Sequence, residues 1–184
     1  PTMQTLDAQT KRLLEITASF PHLRVLVIGD AMLDSYLQGA ATRLCREAPV
    51  PIVDVGETNH VPGGAANTAA NVATLGAEAY LLTVIGEDAA GQQLEAALAE
   101  GGVNLAGVVR SRDRATLVKQ RLLAENQLLL RFDQGSTADL STADEDQLIA
   151  QLERYFPLCD AVIISDYAYG VMTPRLTLTL QRLQ

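Results

Sequence analysis

Residues 24–30 read Arg24-Val25-Leu26-Val27-Ile28-Gly29-Asp30, an apolar run closed by a glycine and a carboxylate. Apolar residues without alternation fit a strand buried on both faces, and such strands belong to parallel sheets covered by helices. The same texture returns at residues 79–85 (AYLLTVI) and 161–165 (AVIIS), which predicts three buried strands. Helical segments lie between them, so the expected fold class is α/β, a mostly parallel sheet flanked by helices.

Working outward, Leu6, Leu13, Leu14, Ile16 and Phe20 space a loosely amphipathic opening helix that Pro21 stops. Residues 63–76 (GGAANTAANVATLG) pack small residues at helical spacing and end on a capping glycine. Glu87 and Asp88 open a helix over residues 89–100, ended by Gly101 and Gly102. Thr142-x-x-Glu145 reads as a capping box for a helix running to about Phe156. Thr173-Pro174 reads as the N-cap and first-turn proline of a last helix.

Two stretches fit these layers poorly. The run Pro49-Val50-Pro51-Ile52-Val53-Asp54-Val55 is one; the other holds strands at 116–123 and 127–133 joined by a turn at Ala124-Glu125-Asn126. Together they predict a small β lid with strands within about residues 35–62 and 112–132. Three buried strands make a short sheet with an unfinished edge, so residues 1–184 are expected to be the N-terminal part of a larger, here incomplete, domain.

Composition narrows the function. The 184 residues are 48% hydrophobic and 20% charged, which suits a globular domain with a sizeable core. A net charge of −8 opposes the counterion release on which nucleic-acid binding depends, so no nucleic-acid partner is expected. No apolar run approaches the roughly 20 residues of a bilayer crossing, so no membrane partner is expected either. Lys11 and Arg12 precede an apolar stretch that Glu15 breaks, which is not a signal-peptide core, and a cytoplasmic protein is expected. Cys45 and Cys159 stand far apart without metal-ligand spacing, so no metal site or disulfide is expected.

Four groups of residues carry candidate chemistry. Gly63-Gly64-Ala65-Ala66-Asn67 at a helix start suits close approach of backbone N–H groups to an oxygen-rich ligand, and equally suits a tight turn before a tightly packed helix. It is neither a P-loop nor a dinucleotide fingerprint. Asp34, by its own setting, reads as a strand-end or turn carboxylate, and Asp30 as the cap of the turn after the first strand. Lys119 and Arg121 alternate and so share one face of a strand, whereas Arg110, Arg112 and Arg114 read as a solvated hairpin face. Asp166 follows a strand at its carboxyl end, where open α/β sheets bind ligands and where turn caps also occur. His22 and His60 are assigned no role.

Gly63-Gly64-x-x-Asn67-x-Ala69, with Gly76 and Gly86 following, resembles the first signature of the ribokinase-like (PfkB) sugar kinase family. Gly29-Asp30-Ala31-Met32-Leu33-Asp34 and Arg43-Leu44-Cys45-Arg46-Glu47-Ala48-Pro49-Val50-Pro51 resemble one subgroup, the heptose-7-phosphate kinases joined to ADP-heptose synthases. Thr116-x-x-Lys119-x-Arg121, Leu130-Arg131-Phe132-Asp133 and Ser165-Asp166-Tyr167-Ala168-x-Gly170 continue the likeness, with Tyr169 where lysine is common.

The resemblance implies a ribokinase-like fold and an ATP-dependent sugar-phosphate kinase acting on a heptose 7-phosphate or related sugar. By resemblance, Asp34, Asn67 and the amides of Gly63 and Gly64 hold the sugar, and Lys119, Arg121 and Arg43, with Asp166, complete the substrate site. The family's Gly-Ala-Gly-Asp base motif and magnesium-linked Asn-x-x-Glu motif do not occur in these residues. ATP and magnesium serve the intact family, and neither is expected to bind well to this chain, which is expected to be inactive alone. A sugar phosphate and a second copy, paired through the lid, are the expected partners. A noncatalytic carbohydrate-binding or dimerising module is the alternative.

Overall fold

The computed structural model describes residues 7–125 and 127–184. From the N-terminal end run α1 (Ala8–Ser19), β1 (Arg24–Gly29), β2 (Ala31–Leu44), β3 (Pro51–Gly64), α2 (Ala65–Thr74), β4 (Glu78–Gly86) and α3 (Ala89–Glu100). After them come β5 (Val108–Ser111), β6 (Val118–Ala124), β7 (Gln127–Gln134), α4 (Thr142–Tyr155), β8 (Ala161–Ser165) and α5 (Pro174–Leu183).

The apolar run of β1 dictates the centre. It pairs in parallel with β4 on one side and β8 on the other, and β5 extends the sheet beyond β4. Successive side chains of a strand point to opposite faces. Val25 and Val27 therefore meet Ala65, Ala66 and Ala69 of α2 and Leu94 and Leu98 of α3. Leu26 and Ile28 meet Leu148 and Leu152 of α4 and Leu176 and Leu180 of α5 on the other face. The three alanines let α2 lie close to the sheet, and this fixes the N-terminal end of that helix against the end of β1. The expected α/β architecture is what the chain adopts.

Several local expectations are corrected. β8 is not buried: it forms an edge of the sheet, with Ile164 52% exposed. The cap of α4 is Ser141 rather than Thr142: its Oγ accepts from the Asp144 amide and donates to the Asp144 carboxylate, which also accepts from the Ser111 hydroxyl at 2.7 Å. The opening helix buries none of its residues, and Leu6 lies outside the described residues. Ala124 ends β6, Glu125 takes a positive φ of 48°, and Asn126 lies outside the described residues.

The second sheet has strand order β3-β2-β6-β7. Its long strands begin closer to the core than expected, since β2 starts one residue after β1 ends and only Asp30 separates them. β2 pairs antiparallel with β3 and parallel with β6, and β6 pairs antiparallel with β7. Among the described residues no helix is long and apolar enough to cross a membrane.

Asp88 ties the two regions together. Its side chain caps α3 by accepting from the Gly91 amide and also accepts from Thr116 at the entry to β6. Burial pushes this carboxyl up, but the Thr116 and Gly91 hydrogen bonds outweigh burial and hold it below its ordinary value of 3.8. A depressed carboxyl stabilises the fold above its unfolded value and loses that contribution as pH falls through the folded one. Asp88→Ala is thus expected to lower stability by about 1–2 kcal/mol at pH 7, the usual worth of such a cap. The deficit should shrink below about pH 4. Urea unfolding of both proteins across pH reads this, and a pH-independent deficit contradicts it.

Candidate functional site

The site forms where β1 hands the chain to β2. In the register of the second sheet Asp34 stands beside Lys119, which stands beside Asp133; one row outward, Tyr36 stands beside Arg121, which stands beside Arg131. The two-residue period puts all six on one face.

Asp34 and Arg121 form a partly buried ion pair, Nη1 to Oδ1 at 2.6 Å, and the guanidinium lies 5.1 Å from the centre of the Tyr36 ring. Arg131 donates to both oxygens of Asp133, at 2.9 and 2.6 Å, which raises the guanidinium's pKa and lowers the carboxyl's. Lys119 is only 8% exposed, with its ammonium 4.8 Å from the Tyr169 ring and 5.6 Å from the Tyr167 ring. Those two rings stack, 6.3 Å between centres.

The glycine pair brings α2 to this face. Gly63 lies so near Asp34 that a Cβ there would meet the carboxylate Oδ2 at 2.4 Å. Gly64 precedes α2 with φ of 58° and ψ of −130°, a conformation only glycine adopts readily. Among the described residues no side chain caps this helix, and the Ala65 amide donates to the Asp30 carbonyl. The uncapped positive end of α2 thus opens beside the Asp34 carboxylate, a pairing suited to hydroxyl groups and to anions.

Asp30 organises the far wall. It is 2% exposed, and its carboxylate accepts from the amides of Tyr167 and Tyr169 through Oδ2 and of Val171 through Oδ1. It caps no local turn, contrary to expectation. It holds a loop from the other end of the chain, the loop that carries the two tyrosines. Arg114 supports the same loop by donating to the carbonyls of Tyr169 and Ala138. Burial pushes its guanidinium pKa down against the opposing pull of Asp30, Asp144 and Asp139. The solvated-face expectation therefore fails for Arg114, whereas Arg112 is exposed and pairs with Glu87.

Of the expected site residues, Asp34, Gly63, Gly64, Lys119 and Arg121 come together. Asn67 is exposed on the first turn of α2, between the buried Ala66 and Ala69. Two do not join them. Arg43 sits nine positions farther along β2 than Asp34 and contacts Asp54 at 3.8 Å. At about 3.3 Å per residue that is roughly 30 Å away. The Asp166 carboxylate turns back to accept from the Ala168 amide, the local cap that its position also allowed. Sequence reasoning missed Tyr36, Arg131, Asp133, Tyr167 and Tyr169. The alternation of Arg131 and Asp133 repeats that of Lys119 and Arg121 and was the available signal.

A family model described as pfkB family carbohydrate kinase matches residues 22–173. The bifunctional protein HldE of Wolinella succinogenes is 39% identical over 156 residues, covering 85% of this chain and 33% of that protein. HldE of Azorhizobium caulinodans is 42% identical over 150 residues, covering 81% of this chain and 31% of that protein. The chain thus spans about a third of the length of the curated relatives it matches. Among solved structures, the tetrameric inhibited form of phosphofructokinase-2 from Escherichia coli overlays with a TM-score of 0.66 at 21% identity, over 88% of this chain and 52% of that one.

Proposed function

We propose, from the premise that this chain belongs to the pfkB carbohydrate kinase family, that it is the sugar-binding part of an ATP-dependent sugar-phosphate kinase acting on a heptose 7-phosphate or related sugar. One observation carries the reading: the Asp34 carboxylate lies against Gly63, beside the open end of α2 and next to Lys119 and Arg121. A carboxylate accepts from two neighbouring hydroxyls, and Asn67 and the α2 amides offer the complementary donors. Ammonium and guanidinium groups suit a phosphate, the guanidinium in bidentate fashion. The motifs that resemble the heptose-7-phosphate kinases support the heptose, and this chain follows the HldE relatives at about 40% identity over most of its length.

Among the described residues no three His, Cys, Asp or Glu side chains are grouped to hold a metal ion. ATP with magnesium supplies the transferred phosphoryl group and the charge that stabilises its transfer. In this reading the residues that hold them, and the base that deprotonates the acceptor hydroxyl, belong to the family pattern outside this sequence. The setting is cytoplasmic. The long strands of the second sheet pair two copies, since among the described residues β7 is an unpaired edge with Leu128, Leu130 and Phe132 exposed. A purely monomeric species in sedimentation at high concentration removes that pairing.

Asp34→Asn is expected to weaken binding of a heptose 7-phosphate by about 1.5–3 kcal/mol, the worth of hydrogen bonds to a charged group. Calorimetric titration of the chain reads it, and unchanged affinity takes Asp34 out of the site. In a coupled ADP-release assay the chain alone should give no sugar-dependent turnover. Clear turnover would mean that residues within this chain supply the base.

A further inference from the structure

Two features of the charged face are answered only in part by the protein itself. Arg121 and Arg131 stand directly opposite each other on β6 and β7, and like charges facing across strands are destabilising. Lys119, almost wholly buried, pairs with no carboxylate among the described residues, because both carboxylates of the face are taken. Arg121 holds Asp34, and Arg131 holds Asp133. Three cations against two carboxylates leave a surplus of positive charge under the tyrosine rings. The one carboxylate suited to sugar hydroxyls is therefore already bonded, at 2.6 Å, to an arginine of the same face.

We infer that Arg121 is a specificity-determining residue that masks Asp34 until an anionic group draws it away. The inference rests on the sugar-binding reading above and adds the selection of phosphorylated over unphosphorylated sugars. A phosphate carries about −1.5 to −2 charges at neutral pH and enough acceptor oxygens to serve several donors. Set between Arg121 and Arg131 and reached by Lys119, it relieves the Arg–Arg opposition and frees both oxygens of Asp34 for two hydroxyls. A neutral sugar must break the Asp34–Arg121 pair and gives the guanidinium nothing in return. Rows of one face lie about 7 Å apart along a strand, a separation that a phosphorylated sugar spans.

The test titrates the chain with D-mannoheptose 7-phosphate, D-mannoheptose and inorganic phosphate. Arg121→Met should weaken the phosphorylated sugar by about 30-fold, as loss of a charged hydrogen bond does. It should also strengthen the neutral heptose by about fivefold, since Asp34 is no longer masked. Arg131→Met, which does not touch Asp34, should weaken the phosphorylated sugar without strengthening the neutral one. If Arg121→Met weakens both sugars, or leaves the neutral one unchanged, Arg121 masks nothing and the inference falls.

Should that variant fail to fold in a thermal melt, the unmodified chain decides. Saturating inorganic phosphate should raise its affinity for neutral heptose, and unchanged or lowered affinity overturns the inference. If the unmodified chain binds the phosphorylated sugar and Asp34→Asn weakens it, the sugar-binding reading survives even when masking fails. If the unmodified chain binds neither sugar, both fall.

Discussion

Gly64→Ala is expected to lower the unfolding free energy by about 3 kcal/mol, combining backbone strain with displacement of main-chain atoms. The added Cβ would stand 2.3 Å from the Asp30 carbonyl oxygen and 2.5 Å from the Met32 methyl carbon. The methionine can move. The carbonyl cannot, because it accepts from the Ala65 amide and belongs to the residue that joins the two sheets. Gly102 is the internal control, with a φ of 77° and nothing within 4 Å of its built Cβ. Its alanine variant meets strain alone and should lose only about 1 kcal/mol. Urea unfolding of the two variants separates clash from strain, and equal losses would mean that the contact with Asp30 carries no weight.

Asp30→Ala should be as damaging, by about 3–5 kcal/mol, since three backbone donors lose a charged acceptor at once. The loss has a local signature. Hydrogen exchange of the Tyr167, Tyr169 and Val171 amides should accelerate well beyond the global change, and the tyrosine rings should leave Lys119. Unchanged relative protection at those three amides would show that Arg114 alone holds the loop. Asp30→Asn keeps one acceptor oxygen and should fall between the wild type and the alanine variant.

Much of this was legible in the sequence because it is local. The apolar run of β1, the glycine pair before α2 and the alternation of Lys119 with Arg121 each state their own geometry within a few residues. What stayed hidden depends on distant partners. Asp30 resembles any carboxylate after a strand, and only the fold shows that its acceptors face residues 167–171. Arg114 looks like its neighbours Arg110 and Arg112 until burial singles it out. β8 reads as buried because its residues are apolar, but apolarity does not reveal which strand forms the edge of a sheet. Arg43 shares a motif with site residues and stands far from them because β2 runs on past the face that holds Asp34. The Asp34–Arg121 pair joins residues 87 positions apart, and no local pattern announces it.

The reach of Asp30 also bears on how the protein is made. Its three carboxylate bonds span 137, 139 and 141 positions. β1 likewise gains β8, its neighbour on that side, only after residues 161–165 exist. At ribosomal speeds of about 5–20 residues per second, roughly 7 to 28 s separate the synthesis of Asp30 from that of its partners. Through that interval the nascent chain carries, at the end of β1, a carboxylate whose three backbone donors do not yet exist. Three strands of the first sheet are complete by Ser111 and the second sheet by Gln134, so closure around Asp30 must be a late, ordering event.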